Sequence, residues 1–241
     1  VISLHGAATW PAQQKNLTGW NRLAEEAGFL VVYPGGRGFP RIWQAMQPGP
    51  RLEEDVQFIA DLLDHLVSTY NIDRARVYVN GLSNGAGMSS ALACTLPDRI
   101  AAIGMVATAF ILPPDWCPAN RPMPVIAFHG TGDPIVPFMG GPLGDPFNPV
   151  KTEFPPVRSW IEAWVHRNGC ATGPEILQPA PDVTLERYGD CRAAVSFYIL
   201  DGAGHIWPGG KPLPEWHLGP NSDSVDATRL MWAFFEENGK G

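Results

Sequence analysis

Short apolar runs alternate along this chain with longer stretches in which apolar residues recur at helical spacing. Residues 1–4, 29–33, 77–79, 101–106, 124–128, 183–188 and 194–200 are dense in Val, Ile, Leu, Phe and Tyr and read as buried strands. Between them, residues 16–27 carry Leu17, Trp20, Leu23, Ala24 and Ala27 on one helical face, with Gly28 as the expected C-cap. Residues 53–70 align Val56, Ile59, Leu63, Leu66 and Tyr70 and open with acidic side chains, where the helix dipole favours them. Residues 85–96, small and apolar, suit a packed helix. Residues 157–168 form a Trp-bearing helix ended by Gly169, and residues 225–237 an amphipathic one that Asp223 or Ser224 can cap. Residues 34–50, around Trp43, residues 113–122, containing Cys117, and residues 134–156 are broken by Pro and Gly and read as connections. Loops as long as the first and last are uncommon unless functional. Strands alternating with helices predict a mainly parallel central sheet covered on both faces. No repeat, low-complexity tract or linker divides the 241 residues, so one domain over residues 1–241 is expected, and 45% hydrophobic residues are ample for its core.

Charge and cysteine usage narrow the function. The net charge is -7 and Lys and Arg are scattered, which offers no basic stripe for nucleic acid. No run reaches the roughly 18 to 20 apolar residues that a membrane helix needs, so neither nucleic acid nor membrane is expected as a partner. The chain opens on a strand and not on a charged n-region with an apolar h-region, so any export signal is expected to have been removed or never to have existed. Cys94, Cys117, Cys170 and Cys191 are too widely spaced for a zinc motif, and no metal is expected. Pairing Cys94 with Cys117 and Cys170 with Cys191 closes the shortest loops and implies an oxidising compartment; four buried free thiols are the alternative.

The chemistry is concentrated at residues 76–88, RVYVNGLSNGAGM. GLSNG at 81–85 is a GxSxG pattern between a short strand and a helix, the context in which a nucleophilic serine is presented on a sharp turn. Gly81 and Gly85 lack a Cβ and let the chain turn tightly with Ser83 at the tip. A serine hydroxyl needs a base to take its proton, and the base needs a group that holds its tautomer and stabilises its charge. Both should follow the carboxyl ends of later strands, where the elbow presents its serine. Asp133 follows the strand at 124–128 and His205 the strand at 194–200, giving the order Ser, Asp, His that α/β-hydrolases use. Asp201 and Asp223 compete for the acid: one lies very close to His205 in sequence, the other beyond it. His65 and His166 fall on helices and are expected at the surface, His217 falls in an irregular loop, and His129 suits a structural hydrogen bond.

Acyl transfer also needs donors aimed at the developing oxyanion. The backbone N–H of Asn84, after the nucleophile, supplies one; an N–H from the loop after His5 and Gly6 supplies the other, with Ala7 preferred over Ala8. Trp207, two residues after the expected base, is a candidate for lining the substrate pocket, while Trp10 and Trp43 read as packing residues under loops. No cofactor is expected.

With these residues in hand, the chain resembles the polyhydroxyalkanoate depolymerase and feruloyl or acetylxylan esterase family of secreted α/β-hydrolases. The resemblance rests on LHG at 4–6, AEEAGFLVVYP at 24–34, EDVQFIADLLDHL at 54–66 and RVYVNGLSNGAGMS at 76–89, followed by PVIAFHGTGDPIVPF at 124–138 and GAGHIWPGG at 202–210. It implies an α/β-hydrolase fold, with Ser83 as nucleophile, Asp133 as acid and His205 as base of a serine carboxylic ester hydrolase. The implied substrates are feruloyl, acetyl or other short acyl esters, small or carried on a polysaccharide. A polyester depolymerase is the alternative, and a non-catalytic binding module a remote one. It also implies secretion or a periplasmic location and disulfide-paired cysteines. Relatives carry one or two strands before LHG, so the N-terminal edge strands are expected to be absent. AATW at 7–10 departs from the cysteine or glutamine that relatives carry there.

Overall fold

The computed structural model describes residues 1–109, 117, 121–143 and 153–238. The main sheet contains β1 (Ile2–Leu4), β2 (Tyr78–Leu82), β3 (Ala102–Val106) and β4 (Val125–Gly130). A two-stranded antiparallel ribbon follows, β5 (Gly141–Pro142) with β6 (Glu153–Phe154). The main sheet then takes in β7 (Thr172–Ala180), β8 (Val183–Gly189) and β9 (Val195–Leu200), in the order β1-β2-β3-β4-β9-β8-β7. The first five strands in this order are parallel, and β9, β8 and β7 pair antiparallel. Because the parallel strands are buried on both faces, they carry no polar alternation. Instead, successive residues serve different cores. Val79, Ile103, Val125 and Ala127 join the layer under α3 (Pro50–Thr69), α4 (Asn84–Thr95) and α5 (Val157–Arg167). Tyr78, Ala102, Ile126 and Phe128 join the layer under α2 (Trp20–Ala27) and α7 (Ala227–Asn238). In that second layer the Tyr78 and Phe235 rings stack at 4.8 Å.

The predicted strands at 77–79, 124–128, 183–188 and 194–200 are all present, as are the helices at 53–70, 85–96, 157–168 and 225–237, with small shifts at their ends. Three differences have physical causes. The helix expected over 16–27 is two, α1 (Pro11–Thr18) and α2, because Gly19 at φ 68 turns the chain between them. Gly28 caps α2 at φ 74 as expected. The strand expected over 29–33 contributes one parallel bridge, Val32 to Ile2, held by Val32 N–H to Val1 O and Ser3 N–H to Val32 O at 3.0 Å each. β7 was not expected: its sequence TGPEILQPA contains two prolines and lies mostly exposed, which an edge strand tolerates and a buried strand does not.

The connection expected over 113–122 lies largely outside the described residues, as does the middle of the one over 134–156. Cys117 is described, and both expected disulfides are formed, Cys94 to Cys117 and Cys170 to Cys191. No helix among the described residues is long and apolar enough to cross a membrane.

Candidate active site

β2 ends at Leu82, α4 begins at Asn84, and Ser83 alone makes the turn between them. Its backbone, at φ 55 and ψ -118, lies outside the regions that a side chain ordinarily adopts, at a cost of about 1–3 kcal/mol. The surroundings impose this conformation. Ser83 N–H donates to Val106 O at 2.8 Å, and α4 packs so closely that a Cβ on Gly81 would run into the backbone of Gly85, and one on Gly85 into the carbonyl of Leu4. Every residue from Val77 to Cys94 is buried except Ser83. The strained residue of this stretch is thus also the one that is only half-buried.

Asp133 stands just beyond β4. The turn leading to it nests against the loop after β9, since Cβ atoms at Gly130 and Gly132 would collide with Ala203 and Gly202. Asp133 Oδ1 accepts the N–H groups of Ile135 and Val136 at 2.8 and 2.9 Å, and Oδ2 accepts from His205 Nδ1 at 2.8 Å. Burial pushes the carboxyl pKa up, but His205, then His129 and the Val136 N–H outweigh it and hold Asp133 below the usual carboxylate value. His205 follows β9, with its own N–H donating to Leu218 O at 2.6 Å, and its Nδ1–H committed to Asp133 leaves Nε2 as the accepting nitrogen. Ser83 and His205 line one cleft of about 490 Å3, and Asp133 is buried behind the histidine. The three residues singled out in the sequence are thereby drawn to one edge of the sheet.

The remaining histidines sort by surroundings. His129 Nε2 lies 2.9 Å from Val136 O and 3.4 Å from Asp133 Oδ2, so this nitrogen faces two acceptors and must carry a hydrogen. Burial lowers the pKa of His129 and keeps it neutral, in the structural role expected of it. His5 donates from Nδ1 to Gly6 O and accepts Gly36 N–H at Nε2, an arrangement that only the neutral ring satisfies; its pKa is lowered, chiefly by burial. His65 and His166 are exposed on their helices. His217, placed in an irregular loop by the sequence, sits instead in a short helix, α6 (Glu215–Leu218), and lines the cleft.

The residues expected around the oxyanion lie at the same cleft. As the first residue of α4, Asn84 has a backbone N–H with no acceptor inside the helix. Its side chain accepts Trp43 N–H at 2.7 Å and donates to Trp43 O at 2.8 Å, fastening the long 34–50 connection to the elbow. Residues 6–9 form a turn closed by Thr9 N–H to Gly6 O, with Ala8 at φ 56. Ala8 N–H is spent on Arg41 O at 2.8 Å, whereas Ala7 N–H has no acceptor among the described residues.

Trp207 requires a correction. It is only 2% exposed and does not line the cleft; its Nε1 donates to Thr228 Oγ1 at 3.0 Å, tying the loop after β9 to α7. Two residues from His205 in sequence, Trp207 turns away from the cleft and toward α7. Trp43 is fully buried, with Nε1 on His5 O, and packs as expected; Trp10 is partly exposed before α1 and does not line the cleft. Much of the wall comes from residues that no motif marked, among them Leu17, Ile42, Met46 and Leu213, joined by Ile135 from the 124–138 stretch, with Lys211 as the permanently charged side chain among the described residues. The only sequence signal for Ile42 and Met46 was the length of the connection that carries them. Among the described residues, no three His, Cys, Asp or Glu side chains gather closely enough to hold a metal ion.

Comparison with known proteins places this geometry. The family described as Esterase PHB depolymerase matches residues 1–136, more than half of the chain. The chain belongs to this family. Feruloyl esterase B of Piromyces equi is 31% identical over 218 residues, which cover 88% of this chain and 40% of that protein. Probable feruloyl esterase C of Aspergillus niger is 31% identical over 186 residues, 76% of this chain and 57% of that one. A poly(3-hydroxybutyrate) depolymerase of Ralstonia pickettii is 26% identical over 235 residues, 90% of this chain and 47% of that one. The chain thus spans less than two thirds of the length of these relatives. Among solved structures, the acetyl xylan esterase from Aspergillus awamori superposes with a TM-score of 0.68 at 15% identity, over 97% of this chain and 87% of that one. That likeness establishes the α/β-hydrolase fold.

Proposed function

We propose that the chain is a serine carboxylic ester hydrolase in which Ser83, His205 and Asp133 act as nucleophile, base and acid, without a cofactor. One observation carries the reading: the 2.8 Å bond from His205 Nδ1 to Asp133 Oδ2, behind a cleft that His205 shares with the strained, half-buried Ser83. In this mechanism His205 Nε2 takes the Ser83 proton as Oγ attacks the ester carbonyl carbon, and Asp133 stabilises the imidazolium that results. The N–H groups of Asn84 and Ala7 receive the oxyanion. Collapse of the tetrahedral intermediate breaks the ester C–O bond, and His205 returns the proton to the departing alcohol. Water, deprotonated by the same nitrogen, then releases the carboxylic acid from Ser83.

The apolar walls of the cleft suit the acyl part of feruloyl, acetyl or other short acyl esters, and the esterase relatives favour that range. The two disulfides support a secreted or periplasmic location, since such bonds persist in oxidising compartments. The deciding experiment replaces Ser83 by Ala and follows hydrolysis of p-nitrophenyl acetate and methyl ferulate. We expect kcat to fall by at least about 10^4-fold with the circular dichroism spectrum intact. Turnover retained in a folded Ser83→Ala protein would falsify the assignment.

A further inference from the structure

Trp216 is 88% exposed, so its indole contributes little to the folded core. Its position is nevertheless tightly specified. Trp216 lies on α6, and the residues that follow it, His217 and Leu218, line the cleft containing Ser83. The arm that carries α6 is pinned at several points. Lys211 N–H donates to Leu17 O at 3.0 Å, and Leu218 O accepts the N–H of His205 at 2.6 Å. Asn221 closes the arm on itself by pairing its side-chain amide with both Leu213 N–H and Leu213 O at 2.8 Å. A large flat ring is therefore held out into solvent on a preorganised support bonded to the backbone of His205.

We infer that Trp216 is a stacking platform for a sugar ring of an ester-bearing polysaccharide, positioned at the mouth of the cleft. This rests on the esterase reading and specifies its alcohol side. The chemistry of the rim favours a carbohydrate. The C–H face of a pyranose is flat and apolar and covers an indole, while its equatorial hydroxyls need hydrogen-bonding groups around the ring. The cleft supplies these from Gln13, Asn16, Lys211 and His217. A polyester strand has neither a flat face nor hydroxyl groups, so it uses this combination less well. Rigidity of the arm adds to the effect, because a backbone already held in place need not be ordered when the ring is covered.

The test compares KM for a feruloylated or acetylated xylo-oligosaccharide with KM for methyl ferulate or p-nitrophenyl acetate. In Trp216→Ala this ratio is expected to rise about tenfold, the scale of one aromatic contact, and Trp216→Phe should recover part of the loss. Phe39 is 91% exposed, and its neighbours Gly38 and Pro40 do not line the cleft, so Phe39→Ala should give the wild-type ratio. Unesterified xylohexaose should change the tryptophan fluorescence of the wild type and of Ser83→Ala, but not of Trp216→Ala. The inference is overturned by an unaltered KM ratio in Trp216→Ala, by an equal shift in Phe39→Ala, or by a loss confined to adsorption and hydrolysis of a polyhydroxybutyrate film. Failure of the wild type to hydrolyse any small ester would instead count against the esterase reading, and the fluorescence measurement would still decide on the platform.

Discussion

The proposed oxyanion role of the turn at residues 6–9 rests on a single backbone hydrogen. Ala8 has φ 56 and Thr9 N–H returns to Gly6 O, which makes Ala7 the second residue of a four-residue turn with a left-handed third. Proline fits that second position, so Ala7→Pro preserves the turn while deleting the one N–H there that is free to meet an oxyanion. We expect kcat on p-nitrophenyl acetate to fall by about 10^2 to 10^3-fold with an unaltered melting temperature. Wild-type kcat in this variant would remove Ala7 from the oxyanion site. At this scale, what was legible in the sequence was placement fixed by a particular neighbour in the chain: Ser83 on its turn between glycines, and Asp133 and His205 just past strand ends. Trp207 was misread because proximity in sequence says nothing about direction. The chain passes through His205 with Trp207 facing α7, and the indole N–H finds Thr228 and not the cleft.

Among the elements, the connection over residues 34–50 departs furthest from anything that periodicity describes, yet it brings Ile42 and Met46 to the cleft. Its order comes from buried polar groups that reach it from elsewhere. His5 accepts Gly36 N–H, Asn84 pairs with Trp43 N–H and O, and Asp55 accepts Gln44 N–H at 2.8 Å. Such long-range pairings leave no pattern in a sequence, whereas the amphipathic stripes of α3 and α7 do. The His5 clamp carries a pH dependence. Burial, opposed by the Gly6 carbonyl and assisted by Arg41, depresses its folded pKa below the ordinary 6.5, and His129 is depressed as well, mainly by burial. The unfolded chain therefore binds more protons than the folded one in the window just below pH 6.5, so the stabilising contribution is complete above that pH and is lost as pH falls through the folded values. Melting temperature is expected to drop between pH 7.5 and 5, with a shallower slope in His5→Asn. An identical slope in the variant would show that His5 takes no part in the acid sensitivity.

At the scale of the whole molecule, the two edges of the sheet have separate duties. Ser83, Asp133 and His205 all follow the carboxyl ends of their strands, β2, β4 and β9, at the edge where the loops that wall the cleft converge. α4 runs back from Ser83 toward the other edge and ends near Cys94, and Cys191 lies just before β9 begins. Both disulfides thus tie the amino edge, away from the cleft. They close loops with sequence separations of 23 and 21 residues, each stabilising the fold by about 3 kcal/mol in the chain-entropy account. Reducing both should lower the melting temperature by roughly 10–20 °C for a domain of this size. Chemistry at the opposite edge should be spared, because the strands and α4 fix Ser83 through backbone packing around Gly81 and Gly85 that neither bridge touches. We therefore expect kcat on p-nitrophenyl acetate at 25 °C, measured after reduction and alkylation, to stay within about twofold of the native value while thermal inactivation moves to lower temperature. A fall in kcat under conditions where circular dichroism still reports a folded protein would mean that the amino edge governs the geometry of the cleft, and that stability and chemistry are not divided between the two edges.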